Sequence, residues 1–357
     1  MLEHGGRLLE FAARIGIPAE QWLDLSTGIN PRGYPVPPVP AEAWRRLPEE
    51  EDGLARVAAD YYRAPPATAV LPIAGTQAAI QALPRVLPHL LPRLQAGAAS
   101  SGPPLQIAVA NLTYNEYAHV WRKAGHTVTA HVHLQLADAA DRADVVILCQ
   151  PNNPTGECIE PTRVEQMTRT LARRSRWLLI DEAYADAVPE TSALPHIAAE
   201  DWPRVIVLRS LGKFFGLAGA RAGFAISAPE VIAALRDELG PWPLSGPARV
   251  AALHALRNTA WQIEARRFLH DMTQQLDACL VARLGVTPSG TALFRWFAFD
   301  EANALHEHLA RLGILVRMFA APSSALPSDH RGLPSLRIGL PADETQLARL
   351  DRALEQF

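Results

Sequence analysis

Short apolar runs recur along the middle of the chain at intervals that leave room for a helix between them. Leu105-Gln-Ile-Ala-Val-Ala110, Ala143-Asp-Val-Val-Ile-Leu-Cys149, Trp177-Leu-Leu-Ile180 and Val205-Ile-Val-Leu208 are brief and largely apolar, the pattern of buried strands. Between about residues 68 and 239 they alternate with helix-like stretches, which predicts an α/β fold with a mostly parallel sheet covered by helices. A short helical start precedes a proline-rich connector at residues 31–40, and an amphipathic segment covers 41–63. Residues 96–104, rich in Ala, Ser, Gly and Pro, read as an exposed loop. A second boundary falls at Pro241-Trp-Pro-Leu-Ser-Gly-Pro247; beyond it, 248–284 is largely helical and the tail mixes short strands with helices. The expected organisation is an N-terminal segment (1–40), a large domain (41–244) and a smaller C-terminal α+β domain (245–357), with no internal repeats.

Three of these runs end in residues that carry chemistry. After 143–149 comes Pro151-Asn-Asn-Pro-Thr-Gly156, a turn by composition, placed where open α/β sheets bind ligands. The run at 177–180 delivers Asp181, with Tyr184 three residues on. A carboxylate there is either a helix N-cap or the buried partner of a cationic group. The run at 205–208 leads into Ser210-Leu-Gly-Lys213-Phe-Phe-Gly-Leu-Ala-Gly-Ala-Arg221-Ala-Gly223. Lys213 reads there as an exposed loop lysine or as a nucleophile suited to a Schiff base, with Arg221 and the loop amides able to hold a phosphate.

In their order and spacing, Asn-Pro-Thr-Gly, Asp-x-x-Tyr, Ser-x-x-Lys and Gly-x-Arg-x-Gly resemble the fold-type-I pyridoxal-phosphate enzymes, the aminotransferase superfamily. The resemblance implies pyridoxal 5′-phosphate as cofactor, covalently held by Lys213, with Asp181 on the pyridine nitrogen. It gives Asn153 and Tyr184 the ring's phenolic oxygen, and Ser210 and Arg221 the cofactor phosphate. Gly75-Thr76-Gln77, a glycine turn opening the helix-like run 78–83, suits the same phosphate. Tyr114 matches the aromatic that stacks on the ring, although Leu112 stands where the family usually has proline. Arg337, inside an apolar strand-like stretch, would grip the substrate's α-carboxylate.

The N-terminus narrows the resemblance. His4-Gly5-Gly6 and Leu23-Asp-Leu-Ser-Thr-Gly-Ile-Asn30-Pro-Arg-Gly33 look like the threonine-phosphate decarboxylases of cobalamin biosynthesis, as do residues 121–125, 241–245 and 314–317. By itself His4 would be a frayed terminus. The resemblance makes His4, Gly5, Gly6, Asn30 and Arg317 substrate residues, His4 and Arg317 for a substrate phosphate. It implies decarboxylation of L-threonine O-3-phosphate to (R)-1-amino-2-propanol O-2-phosphate. The alternative is transamination of a phosphorylated substrate such as histidinol phosphate. Relatives also place a tyrosine before proline where this chain has Leu47-Pro48, so that cross-subunit phosphate contact is absent or made by another group such as Tyr34. A homodimer with its site at the interface is expected on this resemblance alone.

Composition changes little. The chain has 357 residues, 48% of them hydrophobic and 20% charged, with a net charge of −3. That balance is globular, long enough for two domains, and argues against nucleic acid as a partner. Cys149, Cys158 and Cys279 show neither metal-ligand spacing nor a disulfide framework, so no metal is expected. No run is apolar enough to span a membrane, and the N-terminus lacks a signal core, so a cytoplasmic protein is expected.

Overall fold

A computed structural model describes residues 5–91, 103–321 and 332–357. His4 and most of the loop expected at 96–104 lie outside the described residues. In chain order the elements are α1 (Leu8–Ile15), β1 (Leu23–Asp24), α2 (Ala41–Arg45), α3 (Leu54–Tyr62), β2 (Ala69–Ile73), α4 (Thr76–His89), β3 (Gln106–Ala110), α5 (Glu116–Lys123), β4 (Thr127–His131) and β5 (Val145–Cys149). They continue with α6 (Pro161–Arg173), β6 (Trp177–Asp181), β7 (Val205–Ser210), β8 (Gly223–Ser227), α7 (Pro229–Leu239), α8 (Gly246–Arg257) and α9 (Thr259–Leu284). The last are β9 (Ser289–Thr291), β10 (Phe294–Ala298), α10 (Ala302–Arg311), β11 (Ile314–Leu315), β12 (Arg317–Phe319), β13 (Ser335–Gly339) and α11 (Glu344–Glu355).

Seven strands form the large sheet in the order β2-β8-β7-β6-β5-β3-β4. All neighbours pair in parallel except β8, which runs antiparallel to both β2 and β7. The apolar runs are continuous because every strand but the edge strand β4 is covered on both faces. Val109, Ile147, Leu179 and Leu208 point into one apolar layer with α4, α5 and α7. Their neighbours Ala108, Val146, Leu178 and Val207 point into the other, with α3, α6 and α8. Together these two layers keep the strand ends, and the loops that leave them, in fixed positions.

The smaller sheet is antiparallel, in the order β12-β13-β10-β9. The N-terminal segment reaches this part of the molecule: β1 pairs in parallel with β11, and Leu25 O accepts from Gly339 N at 2.7 Å. Between the two sheets, Ser289 Oγ on β9 donates to Thr155 O at 3.0 Å, in the loop that follows β5.

Two expected segments are divided. The 41–63 stretch breaks into α2 and α3, because Pro48 lacks an amide proton and Gly53 turns at φ +81°. The 248–284 stretch breaks at Asn258, whose Oδ1 accepts from Trp261 N at 3.0 Å and caps α9.

Candidate active site

The parallel strands end at one edge of the large sheet, where two adjoining cavities lie. An inner one of about 170 Å³ is lined by Gly75, Asp181, Ser210, Lys213 and Arg221. An outer one of about 270 Å³ reaches Gly5, Gly28, Arg317 and Arg337. Tyr114, Asn153, Tyr184 and Lys213 line both.

Asp181 closes β6 at the back of the inner cavity, 3% exposed. Tyr117 donates its hydroxyl to Oδ2 at 2.8 Å, and Ala183 N donates to Oδ1 at 3.0 Å. Burial pushes the carboxyl above its ordinary value, and the bonds from Tyr117 and Ala183 and the nearby Lys213 pull the other way. This side chain anchors no helix; it is a buried acid facing a cavity. Lys213 leaves the loop after β7, with Nζ 5.3 Å from the centre of the Tyr184 ring. Tyr184 is itself fixed edge-on against Phe294 at 5.1 Å.

The other end of the inner cavity is built for an anion. Gly75 opens α4 at φ +75° and ψ 162°, with no side chain capping the helix. The amides of Thr76 and Gln77 are therefore offered to the cavity, reinforced by the helix dipole. A Cβ on Gly75 would lie 3.0 Å from Arg221 Nη2. Ser210 ends β7 beside them and accepts from Gly212 N through its hydroxyl at 3.1 Å. Gln77 serves a second purpose: its Oε1 accepts from Tyr114 OH at 3.0 Å and its Nε2 donates to Glu116 at 2.9 Å. Its side chain therefore orients Tyr114, which meets Tyr117 edge-on at 5.4 Å.

Arg337 dominates the outer cavity. It is 6% exposed, donates to the Asn153 Oδ1 and to Ser26 O at 2.7 Å, and lies 5.2 Å over the Phe294 ring. Its Nε is buried without a hydrogen-bond partner, and no carboxylate pairs with it among the described residues. Burial lowers its pKa from the usual value, with Tyr184 opposing. Register places Arg317 of β12 directly opposite Arg337 of β13. Facing residues in an antiparallel pair share one side of the sheet, so two guanidinium groups stand together at the cavity.

The sequence-predicted residues fall into groups. Gly75, Thr76, Gln77, Tyr114, Asn153, Asp181, Tyr184, Ser210, Lys213 and Arg221 line the inner cavity, while Gly5, Arg317 and Arg337 line the outer. Gly6 donates to Ser26 Oγ at 2.9 Å and borders a neighbouring hollow. Asn30 lines neither cavity: its amide is committed to Phe214 O and Arg32 N, each at 2.9 Å. Sequence reasoning passed over Tyr117 as a partner of Asp181 and Gly28 as part of the outer wall. A Cβ on Gly28 would stand 2.7 Å from Phe294 Cδ1 and 2.9 Å from Tyr184 Cε1. Tyr117 follows Tyr114 by three positions, the one local signal that both face the same way.

A planar ring carrying a phosphate arm and a basic nitrogen fits these donors. The anion end could hold the phosphate and Asp181 the nitrogen, with Lys213 lining the same cavity. Residues 45–357 match the family described as aminotransferase class I and II. A threonine-phosphate decarboxylase of Pseudomonas aeruginosa is 45% identical over all of this chain and 98% of that protein. Another, of a Sinorhizobium species, is 37% identical over 99% of this chain and 98% of its own. Among solved structures, a histidinol-phosphate aminotransferase of Sinorhizobium meliloti in complex with pyridoxal 5′-phosphate superposes with a TM-score of 0.76. It is 20% identical over 99% of this chain and 95% of that one, a likeness of fold.

Proposed function

The chain belongs to the class I and II aminotransferase family, and from that premise we propose that it is a pyridoxal-phosphate-dependent decarboxylase. It removes the carboxyl group of L-threonine O-3-phosphate as carbon dioxide and leaves (R)-1-amino-2-propanol O-2-phosphate. Full-length similarity to two threonine-phosphate decarboxylases supports this reading. The observation that carries it is Arg337, buried at the outer cavity with its Nε unpaired, with Arg317 opposite it in register. A buried guanidinium at the cavity calls for an anionic ligand, and the substrate's carboxylate supplies one.

When bound, the cofactor supplies a protonated pyridine ring that takes up the electron pair left on Cα as the Cα–carboxylate bond breaks. Asp181 holds the proton on the ring nitrogen: a cationic partner favours the carboxylate, offsetting the burial that raises its pKa. The amides of Thr76 and Gln77, with Ser210 and Arg221, hold the cofactor phosphate. Tyr114 packs on the ring. Asn153, its Oδ1 engaged by Arg337, keeps Nδ2 for the ring's phenolic oxygen, beside the Tyr184 hydroxyl. Arg337 grips the substrate carboxylate and Arg317 its phosphate, and fixing both ends selects the bond held perpendicular to the ring. Once carbon dioxide has left, Lys213 Nζ delivers a proton to Cα.

No helix of the described residues is long and apolar enough to cross a membrane, and we infer a cytoplasmic enzyme. We also infer a homodimer. Exposed Trp44 on α2, Leu47 just after it and Trp242 before α8 offer an apolar surface, and α2 packs against α8. Sedimentation as a monomer at micromolar concentration would remove that inference.

The direct assay gives holoenzyme threonine phosphate in one reaction and histidinol phosphate plus 2-oxoglutarate in another. Carbon dioxide from the first and no glutamate from the second is the expected result. Glutamate from the second with no carbon dioxide from the first would overturn the decarboxylase reading.

A further inference from the structure

Asn30 stands apart from both cavities, yet it touches the lysine loop at two points. Its backbone N–H donates to Lys213 O at 2.9 Å, and its Nδ2 donates to Phe214 O at 2.9 Å. The carbonyls of two successive residues are thus held by a single residue, which is 3% exposed. Its Oδ1 accepts from Arg32 N at 2.9 Å, so the amide orientation is fixed from both ends. The contact continues downstream: Tyr34 N donates to Phe215 O at 2.8 Å, and the backbones of Gly33 and Gly216 lie against each other. Tyr34 then meets Trp261 edge-on at 5.2 Å, and Phe215 stacks on the same indole at 5.6 Å.

The same short stretch of chain also reaches the substrate end of the site. Ser26 O accepts from Arg337 Nη2 at 2.7 Å, and Gly28 is wedged against Tyr184 and Phe294. Residues 26–34 therefore run as one strap from the guanidinium that faces the outer cavity to the carbonyl of the lysine that serves the inner one. The strap joins groups far apart in sequence, partly through main-chain bonds at Asn30 N and Tyr34 N and partly through the side chains of Asn30 and Arg337.

We propose that Asn30 is a positioning residue for Lys213. By holding the carbonyls of residues 213 and 214, it sets the position from which Lys213 Nζ reaches the cofactor and Cα, relative to Arg337. The proposal rests on the reading of Lys213 as the cofactor-bonding lysine, and it replaces the expectation that Asn30 touches substrate. Small displacements of a reacting group lower rate far more than they lower binding, with a 1 Å error able to cost on the order of a hundredfold.

The test compares Asn30→Asp, which keeps size and the bond to Arg32 N but loses the donor to Phe214 O, with Asn30→Ser, which keeps a short donor. Both are made in the full chain loaded with pyridoxal phosphate. Three quantities are read: kcat and KM for carbon dioxide release from threonine phosphate, and the pH at which the visible absorption of the lysine-bound cofactor changes. For Asn30→Asp the expected result is a fall in kcat of about 10- to 100-fold, KM within about threefold, and a displaced absorption titration. Asn30→Ser is expected to lie between it and the parent, and carries the comparison if Asn30→Asp does not fold. A raised KM with an unmoved titration would make Asn30 a substrate contact and overturn the proposal, as would no change in any quantity. A parent enzyme that releases no carbon dioxide defeats the decarboxylase reading instead, while the absorption titration still decides the role of Asn30.

Discussion

Arg337 holds a buried charge that no carboxylate neutralises among the described residues; its neighbours are an amide oxygen, a main-chain carbonyl and the Tyr184 hydroxyl. Replacing it by lysine keeps the charge but removes the planar fork. Arg337→Lys is expected to lose about 1.5–3 kcal/mol of substrate binding, roughly a 10- to 150-fold fall in kcat/KM for threonine phosphate in steady-state assays. Asp181 gives a prediction with a definite sign. Its pKa is raised in the folded protein, so the folded state binds more protons than the unfolded one above the ordinary carboxylate range near 4. Cofactor-free protein should thus lose stability as pH rises through that window. Asp181→Asn, which does not titrate, should melt higher than the parent above about pH 4, with the gap widening until the native carboxyl has ionised. Thermal melts from pH 4 to 8 check this, and a gap that narrows with pH would contradict it. With cofactor bound the order should reverse, because asparagine offers no charge to the ring nitrogen. The sequence left Asp181 as a helix N-cap or a buried acid, and its burial at the cavity favours the second, whereas Tyr117 and Asn30 were illegible as partners. Their hydrogen bonds join residues 64 and 184 positions apart, which no local pattern reports.

At the next scale, the start of α4 joins sequence to site most directly. The glycine turn before a helical run was readable, and its backbone explains the glycine: φ +75° with ψ 162° is a region that side chains avoid. Gly75→Ala also sets a methyl group against Arg221 at 3.0 Å. The variant should strain this turn by about 1–3 kcal/mol and weaken cofactor affinity by roughly 5- to 150-fold, measured by titrating cofactor-free protein spectroscopically. Affinity equal to the parent would show that the helix end does not bind the phosphate. The strands were legible because both their faces are covered, which makes them apolar throughout. That same property hid the direction of β8, since a doubly buried strand reads alike in a parallel or an antiparallel pairing. The pairing of β1 with β11 was hidden for a different reason: two-residue strands carry no period. Pro48 and Asn258 were visible as residues, but that they would divide the amphipathic stretch 41–63 and the largely helical stretch 248–284 depended on where the chain had to turn.

For the whole molecule, the large sheet supplies a rigid edge bearing Asp181, Ser210 and the lysine loop, and the small sheet supplies the paired arginines. In the proposed reaction each half thus belongs to a different sheet, and the strap at residues 26–34 reaches both. This arrangement leaves the proposed cofactor partners readable as motifs, since they cluster at the ends of strands and in the loops that leave them. The substrate's partners depend on register in a sheet whose strands are short. The decarboxylase account predicts that one bond, Cα to carboxylate, breaks, and that one proton returns to the same carbon. The most direct measurement incubates holoenzyme in heavy water with threonine phosphate carrying carbon-13 in its carboxyl group, and follows it by NMR. The account predicts labelled carbon dioxide together with aminopropanol phosphate bearing a single deuterium on the aminomethyl carbon. Retention of the label in a 2-oxo acid, with the amino group passed to the cofactor, would contradict it.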